Sequence, residues 1–183
     1  MAPETYHLSP TLHAPNNSLP VLHYRNVLPR PLSESSATEF LTSHKWEKRG
    51  TWGAISTRHF HPNSHECYGI FQGTSTLLLG AAGGDLDPSA GIKVTLHAGD
   101  VLVLPAGTAH SSVDGDDNPE YRYVGVYPEG CPRWRNEYGK EPIDLHALRR
   151  EIDAVAMPLE DPVYGEDGPL CQLWKKSMSA SRL

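Results

Sequence analysis

The chain has 183 residues, enough for one well-buried core and short for two. Its 16 Lys+Arg against 22 Asp+Glu give a formal charge of -6, with no basic run able to track a phosphate backbone, so nucleic acid is an unexpected partner. The start, MAPETYHLSP, has neither the basic nor the apolar region of a leader, and no uncharged apolar run approaches the roughly 18–20 residues that cross a bilayer. Cys67, Cys131 and Cys171 are far apart and odd in number, which reads as free thiols in a reducing compartment. The expectation is a soluble, cytoplasmic protein that does not use a membrane.

In chain order, residues 1–49 read as an arm rich in Pro, Asn and Ser, with one strand-like island, LPVLHY at 19–24. Ser36 followed by Glu39 has capping-box spacing and predicts a short helix over about 36–45. From 50 to 128 the pattern is short β-rich runs, WGAISTRHF, CYGIF, STLLLG, IKVTLHA, DVLVLP and YRYVGVYP, each bounded by turn residues. No helix pattern separates them, which points to an all-β antiparallel sandwich or barrel. GAAGGDLDPSAG, 80–91, is expected to be a flexible hairpin loop. In 129–183, DLHALRREIDAVAMP predicts a helix capped by Asp144 and stopped by Pro158, and GPLCQLWKK predicts a closing strand. The three stretches are expected to form a single structural domain.

The chemistry concentrates in HFHPNSHECYGIFQG, 59–73. On a strand, residues two apart share a face, so His59 and His61 project together. After the turn, Glu66 opens the next run, where a hairpin brings its carboxylate opposite the pair. GDVLVLPAGTAH, 99–110, ends on His110, aimed by a turn that Pro105 and Gly107 shape. Three imidazoles and one carboxylate suit Fe(II), Mn(II), Ni(II), Co(II) or Zn(II) equally. His65 is either a solvated loop residue or a partner and proton shuttle of the metal site. Tyr68, Ile70 and Gln72 share the parity of Glu66 and are expected to line its interior, with Tyr68 either packing the core or touching substrate. Cys67 should face away and lacks a basic partner, which argues against thiol catalysis.

These residues resemble the two motifs of the cupin superfamily: His59, His61, Glu66 and Gly73 in the first, Gly99, Pro105, Gly107 and His110 in the second. Asp114 stands where such proteins usually carry asparagine. NNSLPVLHY, VGVYPEG and DPVYGEDGPLCQLWK extend the likeness to the mostly uncharacterised YjlB-like cupins. The resemblance implies a double-stranded antiparallel β-barrel of jelly-roll type with an N-terminal arm and a few short helices. It also implies one divalent transition metal held by His59, His61, Glu66 and His110.

One carboxylate on a divalent ion leaves net positive charge, and four ligands on an octahedral ion leave two open positions. The expected function is a dioxygenase-type oxidoreductase acting on a small oxyanion-bearing molecule, with His65 and Tyr68 as candidate catalytic groups. A non-redox isomerase or epimerase and a non-catalytic binding module are the alternatives. Sheet edges left by one small barrel, and the apolar arm, suggest a homodimer that exchanges or packs arms.

Overall fold

A computed structural model describes residues 2–87, 89–113 and 119–180. Asp114 lies outside them. Nine strands and three helices are described: β1 (Glu4–Tyr6), β2 (Val21–Tyr24), α1 (Glu34–Thr42), β3 (Trp46–Trp52), β4 (Glu66–Gln72), β5 (Thr74–Leu79), β6 (Ile92–His97), β7 (Val101–Leu104), β8 (His110–Ser112), β9 (Arg122–Pro128), α2 (Leu145–Asp153) and α3 (Pro169–Ala180). Every strand pair is antiparallel. Six strands form one sheet in the order β1-β2-β7-β4-β9-β3, and three form a second, β6-β5-β8.

The larger sheet is buried on both faces, which explains why β7 reads VLVL without a polar break. Along β4 and β7 the period of two sends Tyr68, Ile70, Leu102 and Leu104 inward, against Leu77, Leu79 and Leu96 of the smaller sheet. The alternate residues, Cys67, Val101 and Val103, face outward and are covered by Leu41 of α1 and by Trp46 and Trp174. Glu66 thus enters the space between the sheets because it shares the parity of Tyr68.

Several elements differ from the sequence expectation. Helix α1 starts at Glu34: Ser33 is the cap, its side chain accepts from Ser36 N, and Ser36 supplies the return bond of the box. The run WGAISTRHF is not one strand. β3 ends at Trp52, and His59 and Phe60 make only single bridges, to His110 and Glu137. The closing strand is helix α3, because Leu170, Leu173 and Trp174 sit at helical spacing behind Pro169 at its first position. Leu170 and Trp174 are fully buried. Helix α2 ends at Asp153, ahead of Pro158.

The arm is built into the fold. β2 is hydrogen-bonded on both sides within its own chain, to β1 and to β7. The 80–91 segment joins β5 to β6 as a hairpin, yet Ala81 and Ala82 are buried and Gly83 N donates to Tyr138 O at 2.8 Å, so its first half is pinned. Gln72 is exposed because a register irregularity after Ile70 breaks the alternation of β4; its amide reaches Glu120 at 3.1 Å.

Candidate metal centre

Two turns and two bridges place the histidines. His110 N donates to His59 O at 2.9 Å and His59 N to His110 O at 3.2 Å, which locks the start of β8 to the segment before β4. Gly107 N donates to His61 O at 2.7 Å from a left-handed backbone, φ 82°, that glycine adopts without strain. A Cβ there would also lie 2.3 Å from Ile152 Cδ1 of α2, which would have to shift, so it is chiefly the backbone angle that calls for glycine in the turn preceding His110.

One ring nitrogen from each of His59, His61 and His110 lies within 4.8 Å of the others. All three rings are buried. Their other nitrogens are committed: Nδ1 of His59 bonds Thr57 O at 2.8 Å, Nδ1 of His61 bonds Arg135 O at 3.1 Å, and Nδ1 of His110 bonds Thr108 O at 2.9 Å. A carbonyl oxygen only accepts, so each Nδ1 carries the proton and each Nε2 presents a lone pair to the centre. Glu66 Oε2 stands 3.2 Å from Nε2 of His61 and 3.3 Å from Nε2 of His110. Neither Glu66 Oε2 nor His110 Nε2 has a partner of hydrogen-bond geometry. Converging lone pairs and a buried carboxylate repel one another unless a cation sits among them, so the donor set fits a divalent transition metal.

The charges agree. Burial would push Glu66 up, but the close approach of His61 and His110 outweighs it and holds the carboxyl well below the usual range. Burial, then the neighbouring His110, pulls His59 down to about 3, which keeps it neutral. Burial likewise pulls on His61, but Glu66 prevails and raises it, so the side of the ring that faces the carboxylate favours a positive charge, whether proton or metal ion.

Tyr68 reaches this centre. Its ring lies 6.0 Å from that of His110 and stacks on Tyr123 at 4.0 Å, and it borders the same cavity as His59, His61 and Glu66. Burial, and then the Glu66 charge, raises its pKa well above the ordinary value, so the phenol stays protonated.

His65 is turned the other way. Its Nδ1 accepts from Ala106 N at 2.9 Å, its ring packs 4.8 Å from Trp174, and it borders a separate cavity of about 360 Å³ together with Asn63 and Cys131. Strand alternation placed it there, on the face opposite Glu66. Burial pulls its pKa down to about 3. Cys67, also on that face, is fully buried and its thiol is pushed up by burial.

Four aromatic residues at the centre escaped the sequence reading. Tyr127 donates a hydrogen bond from its hydroxyl to Glu66 Oε1, and its ring stacks on Trp134 at 4.9 Å. Trp52 meets Trp134 edge-on at 6.0 Å and Tyr123 at 5.9 Å. Tyr123, Gly125 and Tyr127 share one parity in YRYVGVYP, a signal that was available; nothing local marks Trp134.

The two antiparallel sheets, with the buried histidine–carboxylate cluster between them, have the cupin fold. Residues 46–129 match the family model described as Cupin, and this part of the chain is a cupin domain. Over 174 residues, 94% of this chain and 97% of the other, the sequence is 25% identical to the uncharacterised protein YjlB of Bacillus subtilis (strain 168). Solved structures of Bacillus subtilis oxalate decarboxylase, in which Mn(II) centres have been described, superpose at TM-score 0.38 with 19% identity over 66% of this chain. This chain spans only 28% of that one. The 11S globulin of Wrightia tinctoria superposes at TM-score 0.36 with 14% identity, over 51% of this chain and 21% of the other. Among the described residues no helix is long and apolar enough to cross a membrane.

Proposed function

We propose that the chain is a metal-dependent cupin enzyme, a dioxygenase-type oxidoreductase acting on a small molecule that binds through oxygen. His59, His61, Glu66 and His110 would hold one divalent ion from the set Fe, Mn, Ni, Co and Zn. The observation that carries this reading is the commitment of all three Nδ1 atoms to main-chain carbonyls, which leaves three Nε2 lone pairs converging beside Glu66 Oε2. A resident metal would supply a Lewis acid and, if redox-active, a route for electrons to dioxygen.

The remaining work falls to this chain's own groups. Buried, protonated Tyr68 offers a hydroxyl to a substrate oxygen at the cavity wall, and Tyr127 keeps Glu66 in one orientation. The aromatic lining limits water at the reacting atoms. His65 borders the other cavity, so proton transfer in this one would rest on the tyrosines. Elemental analysis of protein purified without chelator or affinity-tag histidines tests the ion. Calorimetry with oxalate and an α-keto acid, on metal-loaded and stripped protein, tests the open positions. Equal anion binding with and without metal would remove the enzymatic reading.

A further inference from the structure

We infer that the cavity over the cluster selects a flat, conjugated molecule about one ring in size, bound through two adjacent oxygens that together carry a single negative charge. The inference rests on the metal reading of the cluster and names its substrate class. Six tryptophan and tyrosine rings wall the cavity: Trp52, Tyr68, Tyr123, Tyr127, Trp134 and Tyr138. Its volume, about 290 Å³, stands at the lower end of the ~300–1,000 Å³ typical of small-molecule sites. That is about twice the ~150 Å³ of a cavity that holds benzene, so a single substituted ring fits.

The charge balance is equally restrictive. Glu66 is the only acidic residue on the lining, and no lysine or arginine borders it among the described residues. Arg133 stacks over Trp134 with its guanidinium 5.6 Å from the ring centre and is not part of the lining. A divalent ion and one carboxylate leave a single positive charge, which a monoanionic chelate neutralises. A second carboxylate on the substrate would face aromatic walls without a cation to compensate it, an unfavourable burial. Neutral hydroxyl or carbonyl substituents would meet Asn136, Thr57 or a tyrosine hydroxyl instead.

The walls are also fixed in place. A Cβ at Gly50 or Gly125 would lie 2.4 or 2.2 Å from the Trp52 ring, so both glycines hold open the slot in which that ring lies. Tyr127 and Trp134 are nearly parallel, at 13°, and Trp52 abuts Trp134 edge-on at 88°. Preformed aromatic walls favour a rigid ring over a flexible chain, because neither side gives up much conformational freedom on binding.

The test compares benzohydroxamate with acetohydroxamate on zinc-loaded protein by calorimetry. Both present the same oxygen pair and the same single charge; only the first carries a ring. Zinc retained after each titration is measured to exclude extraction. Benzohydroxamate should bind about tenfold more tightly or better. In Trp52→Leu and Trp134→Leu that advantage should shrink while acetohydroxamate affinity holds. Equal affinities in the unsubstituted protein overturn the inference whatever the variants do. If zinc-stripped protein binds both compounds as well as loaded protein, the metal reading fails, and the inference with it.

Discussion

The Tyr127 hydroxyl donates to Glu66 Oε1 inside the barrel, and this leaves Glu66 Oε2 to face His61 and His110. One oxygen is held by the protein and the other is left for the centre of the cluster. Tyr127→Phe keeps the ring and its stack on Trp134 but frees the carboxylate to rotate. Partners that orient a metal ligand typically change affinity by about 10–100-fold. Competition against a chromophoric chelator should show a loss in that range. Unaltered metal affinity would show that Glu66 is held by packing alone.

His110 and His65 should separate cleanly. His110→Ala removes a converging Nε2 and should reduce the metal content well below one ion per chain. His65→Ala should leave metal content intact but orphan the buried Ala106 N–H, a cost of about 1–3 kcal/mol. Elemental analysis and thermal unfolding of both variants check this. Stripping the metal from the unsubstituted protein should lower its melting temperature, since an ion bound only to the folded state adds stability by mass action.

Acid should act through Asp100. Burial would raise this carboxyl, but hydrogen bonds from His23, His97 N and Asn26 N outweigh it and hold its pKa below the ordinary value. A group depressed on folding contributes its stability in full above the unfolded pKa, near 3.9, and loses it as pH falls through the folded value. Asp100→Asn turns an amide N–H toward main-chain donors and should cost about 2 kcal/mol at neutral pH. Its unfolding free energy should then fall less steeply than that of the unsubstituted protein below about pH 4. Denaturant titrations at neutral and acid pH distinguish the two slopes.

Asp161 ties the C-terminal helix to the sheet. Its carboxylate accepts from Tyr24 Oη at 2.5 Å, Val163 N at 2.7 Å, Tyr164 N at 3.1 Å and Leu170 N at 2.8 Å. Asp161→Ala should destabilise the protein by at least about 3 kcal/mol, because several buried donors lose their acceptor together. Hydrogen exchange should rise first in 161–177. Protection unchanged there would show that Trp174, whose indole donates to Pro20 O at 3.0 Å, anchors the helix by itself.

Local spacing by itself determined most of the sheet framework and the four candidate ligands. Alternation along β4 separates Glu66 and Tyr68 from Cys67, and two turns, one of them shaped by Gly107, bring His61 and His110 within reach of Glu66 and gather His59 with them; both effects act over a few residues and are written in the order of side chains. It failed where the same apolar set suits two periods: Leu170, Leu173 and Trp174 became a helix because Asp161 caps the Leu170 N–H, and that partner comes from outside the segment. Only the tertiary structure decided what completes the centre. The carbonyl that orients His61 belongs to Arg135, the hydroxyl that holds Glu66 belongs to Tyr127, and the aromatic walls come from β3, β9 and the segment after it. These partners are 61 and 74 residues from the groups they hold. Periodicity says which face a side chain takes, but which distant group meets it there depends on how the sheets and loops pack, and that is settled only when the whole core forms.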